Sequence, residues 1–94
     1  LAKILEKNFS DDDVLFLAGK NYLNLSDPVS ALGFLERISQ SKLSRFDYGL
    51  VYARALFENN NSQKALAILS RVKMVSPIER ETLSKLREKY REVN

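Results

Sequence analysis

The side chains of this chain that could do chemistry are carboxylates, lysines, arginines, serines and tyrosines, because it contains neither His nor Cys. Thiolate nucleophiles, Cys/His zinc sites and histidine general bases are therefore excluded. The densest reactive cluster is Asp11-Asp12-Asp13. It lacks the alternating ligand spacing and the glycine of a calcium loop, so it reads as the acidic start of a helix. The run from Glu79 to Glu92 alternates in sign, with Glu81 and Lys85 four residues apart, as on a solvated helix face. No carboxylate, lysine, serine and tyrosine group together in an arrangement that specifies a reaction, so the expectation is a protein without enzymatic activity or cofactor.

The charge balance narrows the partners. The chain has 94 residues and a net charge of +3. Residues 1 to 27 carry −2, residues 28 to 77 carry +4 and the remainder +1. A gradient of this size can orient a partner but does not call for nucleic acid. No apolar run approaches the length of a membrane span. Nothing distinguishes a cytoplasmic from a periplasmic setting. The first residue is not Met, and Lys3, Glu6 and Lys7 are unlike a secretory leader.

The elements that would position these groups are helices nearly throughout. Leu1, Ile4 and Leu5 form a first short stripe. Ser10 through Asp13 reads as a capping box ahead of Leu15, Ala18, Gly19, Tyr22 and Leu23. Asp27-Pro28 supplies a cap and a first-turn proline for a helix carrying Ala31, Leu32, Leu35 and Ile38, ending near Ser39 to Ser41. The pattern then returns. Ser44-Arg45-Phe46-Asp47 copies the first capping box before Val51, Tyr52, Ala53, Leu56 and Phe57. Asn59-Asn60-Asn61-Ser62 reads as a turn in which Ser62 caps a helix bearing Ala65, Leu66, Leu69 and Val72. Ser76-Pro77-Ile78-Glu79 starts a last helix with Leu83, Leu86, Tyr90 and Val93. Sustained alternation of polar and apolar residues is missing, so no sheet is expected.

The recurrence has one interval. Ala31 and Ala65, Leu35 and Leu69, Ile38 and Val72, and Gly19 and Ala53 are each 34 residues apart. A fixed interval of this size marks stacked supersecondary units. At these residues the chain resembles the tetratricopeptide repeat (TPR) family. A repeat over 12–45 shows Leu15, Ala18-Gly19, Tyr22, Ala31, Leu35 and Ile38. A repeat over 46–79 shows Gly49, Tyr52-Ala53, Leu56, Ala65, Leu69, Val72 and Pro77. Residues 1–9 would end a preceding repeat, and 77–92 would form a capping helix. Two positions depart from the family pattern. Gly49 stands where a large residue is expected, at about 1 kcal/mol of helix propensity. Arg87 stands where Gly or Ala is preferred, as suits a helix with no further partner packed there.

The resemblance implies an all-α fold: one α-solenoid domain of antiparallel helix hairpins wound as a right-handed superhelix, with Leu1 inside a repeat whose beginning is missing. It also implies a concave groove lined by the first helix of each repeat. Carried over one by one, the groove positions are Asp13, Phe16, Lys20 and Asn24, then Asp47, Leu50, Arg54 and Glu58, then Glu81, Ser84, Glu88 and Arg91. Phe16 and Leu50 flanked by Lys20 and Arg54 would suit a peptide with an acidic side chain; the alternative is that both are merely covered by the neighbouring helix. The carboxylate clamp of some family members is rejected, because Phe16, Lys20, Val51, Glu81 and Lys85 occupy its positions and only Lys85 keeps a basic residue in place. The expected function is binding of a protein or peptide, with self-assembly as the alternative. RNA binding of the pentatricopeptide kind is disfavoured by Phe16, Leu50, the period and the low charge.

Overall fold

Two turns with the same hydrogen bonds set the architecture. After Asn24 the chain must leave its helix and start another within a few residues, and it does so with Ser26 in the left-handed conformation at φ 61°. The Asp27 amide then donates to the Tyr22 carbonyl at 2.9 Å, and the Ser26 amide to that of Leu23 at 3.0 Å. One period later Asn60 has φ 64°. The Asn61 amide donates to the Leu56 carbonyl at 2.9 Å and the Asn60 amide to that of Phe57 at 3.0 Å. This paired closure satisfies carbonyls that the helix end would otherwise orphan. The following residue in each turn caps the next helix. Asp27 Oδ1 accepts from the Ser30 amide and Asn61 Oδ1 from the Lys64 amide, both at 3.2 Å. The second cap is thus Asn61 rather than Ser62, because Ser62 is already the first residue of its helix.

The computed structural model describes residues 11–73 and 76–92. Their helices are α1 (Asp11–Asn24), α2 (Pro28–Leu35), α3 (Gln40–Leu43), α4 (Phe46–Glu58), α5 (Ser62–Arg71) and α6 (Pro77–Glu92). There is no strand among the described residues. The expected stripe Leu1, Ile4 and Leu5, the cap at Ser10, and Val93 lie outside the described residues.

Helices α1 and α2 pack as one pair and α4 and α5 as another; α4 also contacts α1 and α2, and α6 packs on α5. The residues that recur in sequence recur in burial. Ala31, Ala65, Leu35 and Leu69 are all fully buried, and Ile38 and Val72 nearly so. Each fully buried leucine contributes on the order of 1.5–3 kcal/mol. The small residues have a steric reason: a β-carbon added at Gly19 would lie 2.5 Å from Leu35 side-chain atoms. At Gly49 it would lie 2.9 Å from the Leu43 carbonyl oxygen and would also run into Val72. The glycine that looked like a propensity penalty is where the chain entering α4 passes closest to its neighbours.

Three local expectations change. The helix bearing Ala31 stops at Leu35, and Ile38 reaches the core from a turn closed by its amide on the Leu35 carbonyl at 3.1 Å. A short helix, α3, follows where a loop was expected. The capping box at Ser44 does not form: Arg45 holds the N-cap position without a side-chain bond, and the Ser44 hydroxyl donates back to the Ser41 carbonyl at 2.8 Å. By contrast Ser76 does cap α6, its Oγ accepting from the Glu79 amide at 3.2 Å.

Candidate functional site: the face of α1, α4 and α6

Helix α4 is the hub of this face, because aromatic stacks join it to α1 on one side and to α6 on the other. Phe16 of α1 lies parallel to Tyr48 of α4, with ring centroids 4.1 Å apart and planes 5° from parallel. Phe57 of α4 stacks on Tyr90 of α6 at 4.2 Å. The first contact extends in both directions. Lys20 Nζ stands 5.4 Å from the Phe16 centroid, and the Arg45 guanidinium carbon 4.7 Å from that of Tyr48. Phe16 occupies one face of Tyr48, so Arg45 must take the other. The result is a four-layer column: Lys20, Phe16, Tyr48, Arg45. Each cation gains from the ring quadrupole beneath it.

Carboxylates secure the column. The Tyr48 hydroxyl donates to Asp13. Asp47 accepts from Arg45 Nη2 at 3.1 Å and from the Tyr48 amide at 2.9 Å. Asp12, which the sequence offered as a helix-start acid, accepts from the Ser39 amide at 3.3 Å and from the Ser39 hydroxyl, and it pairs with Lys42 at 3.8 Å. Two residues of the acidic run therefore tie α1 to distant parts of the chain.

Burial pushes the Tyr48 hydroxyl up to about 12, and its hydrogen bond to Asp13 and that residue's charge act in the same direction, against an opposing effect of Arg45. A phenol held neutral this far exchanges no proton near neutral pH. Burial likewise raises Tyr90, opposed by Arg54 and assisted by Glu58.

The expected groove residues fall into separate groups. Asp13, Phe16, Lys20 and Asp47 come together through Tyr48 and Arg45. Phe16 and Leu50 are half-buried against the core, while Lys20 is exposed. Asn24 is exposed at the end of α1. Arg54 and Glu58 pair with each other at 2.7 Å and lie close enough to Tyr90 to act on its ionisation, so Arg54 already has an anion partner. Glu81 pairs with Lys85 at 3.3 Å; Ser84, Glu88 and Arg91 are exposed on α6 and take no part in the column. Tyr48 and Arg45 were not legible as members. Their partners lie off the period: Asp13 and Tyr48 are 35 residues apart, one more than the repeat interval, and Val14 occupies the equivalent position in the first hairpin.

Arg87 sits on α6 where Gly19 and Ala53 stand in the two hairpins. It is half-buried and directs Nη2 to the Leu69 carbonyl at 3.5 Å, a long contact at the end of α5. No helix of the described residues is long and apolar enough to cross a membrane.

Comparison with known families, curated proteins and solved structures returns no match to this chain.

Proposed function

We propose that this chain is a non-enzymatic protein-interaction module, built as a tetratricopeptide-like α-solenoid, that binds a peptide or partner protein across the face of α1, α4 and α6. The observation that carries the reading is the recurrence of one turn, bond for bond, at Tyr22–Asp27 and Leu56–Asn61. Stacked hairpins of this kind bury only neighbour interfaces and leave an extended surface of first helices, which suits recognition of a chain segment. Lys20 supports an acidic side chain on that segment: it is exposed and has no ion pair among the described residues.

The test is selection of peptides from a random displayed library, followed by titration of a selected peptide into isotopically labelled protein. Shifts concentrated on Phe16, Lys20, Asn24, Leu50 and Arg54 support the reading, as does loss of affinity in a Lys20→Glu, Arg54→Glu double variant. Selected peptides that shift only α2 and α5, or that bind the double variant as tightly, would sink it.

Self-association is the second reading. Leu17, Leu25 and Val29 are 50%, 65% and 71% exposed on the first hairpin. Exposed apolar groups are what a contact between copies would bury. Sedimentation across a concentration series decides it: one monomeric species throughout removes this reading.

A further inference from the structure

One stripe of α1 is covered less than its counterpart on α4. A period separates Val14 from Tyr48, Leu17 from Val51 and Ala18 from Tyr52. On α4, Tyr48 and Tyr52 are buried and Val51 is half-buried. On α1, among the described residues, Val14 and Ala18 are only half-buried and Leu17 is 50% exposed. The cover on α4 comes from the elements that precede it, since α1, α2 and α3 all contact it. The last stretch of that cover, residues 35–43, runs from the end of α2 through α3 and buries Leu35, Ile38 and Leu43. Residues 1–9, outside the described residues, repeat this stretch one period earlier. Leu1, Ile4 and Phe9 stand where Leu35, Ile38 and Leu43 stand, and Lys3 stands at the position of Arg37. Leu5 adds a fourth apolar side chain, at the position of Ser39.

We infer that the occupant of this stripe is the chain's own segment 1–9, with Ile4 and Phe9 covering Val14, Leu17 and Ala18. Burial of apolar side chains from both partners supplies the stabilisation. The segment joins α1 directly, so it meets this face at an effective concentration on the order of millimolar. A second copy in dilute solution does not match that, which favours the segment over a neighbouring molecule. The cover ends at Ala18. On the second hairpin the far end of the face is held through Asn59, which donates to the Pro28 carbonyl. Residues 1–9 contain no counterpart of Pro28, so they leave Asn21 and Leu25 open. The inference goes beyond the reading as an interaction module and does not depend on it.

The experiment uses the absence of native cysteine: a single introduced thiol reports on its own surroundings. Ile4→Cys and Phe9→Cys should react with a soluble thiol reagent at least about tenfold more slowly than Lys3→Cys, because a covered thiol is reached only when the segment opens. Cysteine is itself a small apolar residue and keeps part of the contact. Adding Leu17→Asp should bring both thiols to the rate of Lys3→Cys. Val72→Cys, buried in the second hairpin, should stay protected in that background, so the release reports the stripe on α1. The inference falls if Ile4→Cys and Phe9→Cys both react as fast as Lys3→Cys, or if Leu17→Asp leaves their protection in place. It also falls if the protection rises with protein concentration, which would give the stripe to a second copy. None of these variants touches Lys20 or Arg54, so any of these failures leaves the interaction module standing.

Discussion

The first hairpin, α1 with α2, and the second, α4 with α5, close through the same turn but bury different parts of themselves. Helix α1 buries Gly19 and Leu23; α4 buries six residues, from Tyr48 to Leu56. The equivalent positions make the contrast local. Asn21 is exposed and Ala55, one period on, is fully buried. Leu25 is exposed, while Asn59 donates to the Pro28 carbonyl at 2.8 Å and so pins the second hairpin to the first. The hairpins also place their glycines differently. The first has Leu15 and Gly19 where the second has Gly49 and Ala53. What a repeat position does therefore depends on which helices lie outside its hairpin, and among the described residues α4 is central while α1 is not.

The sharpest way to break this contrast is to place a charge at the paired positions. Ala55→Glu should cost at least about 3 kcal/mol in urea unfolding, since it buries an unpartnered carboxylate, while Asn21→Glu should stay within about 0.5 kcal/mol. Equal losses would show that α1 is covered as fully as α4. Next come the glycines. Gly49→Ala forces a methyl against the Leu43 carbonyl and should destabilise by about 2 kcal/mol. Gly33 has nothing within 4 Å of an added β-carbon, and the second hairpin has Ala67 at that position. Gly33→Ala should therefore stabilise by about 0.5–1 kcal/mol. A stabilising Gly49→Ala would contradict the close approach seen at α4.

A smaller effect tests the column between the hairpins. Tyr48→Phe should cost about 1 kcal/mol at neutral pH by removing the bond to Asp13. The native phenol is raised from 10.0 to about 12, so its contribution is fully present below pH 10 and is lost as pH rises through about 12. Subtracting the unfolding free energy of Tyr48→Phe from that of the native chain should show this decline; a difference independent of pH over that window would refute it. Smallest is the turn pair. Ser26→Gly should gain about 0.5 kcal/mol by relieving a left-handed serine, and Asn60→Gly less, because asparagine tolerates that conformation. Thermal melts of both variants would show whether the two turns, alike in bonds, also differ in strain as their residues imply.

The turns were legible because their signals act over a few residues. Asp27, Pro28, the asparagine run and Ser76-Pro77 each carry a backbone preference or a cap that operates within one helical turn, and all four mark helix boundaries in the structure. Ser44 misled for the same reason. It has the residue type of a cap, but its hydroxyl turns back to Ser41 because α3, which no local pattern announced, ends just before it. The acidic run was half legible: its place at the start of α1 follows from charge, but its partners Ser39, Lys42 and Tyr48 lie too far along the chain for spacing to indicate. Of the expected groove residues, Phe16 and Lys20 prove to belong to a stack whose other half, Tyr48 and Arg45, carried no periodic mark.

Taken alone, the amino-acid order determined that the described residues would be helical and that the pattern would recur every 34 residues. These follow from apolar spacing and local backbone preference, which need no partner from elsewhere in the chain. Only the tertiary structure decided which face of each helix is covered, why Gly49 must lack a side chain, and how Lys20, Phe16, Tyr48 and Arg45 become one column. Those outcomes depend on groups brought within a few ångströms by packing, and the contact of a side chain with a distant neighbour exists only once both helices have been placed.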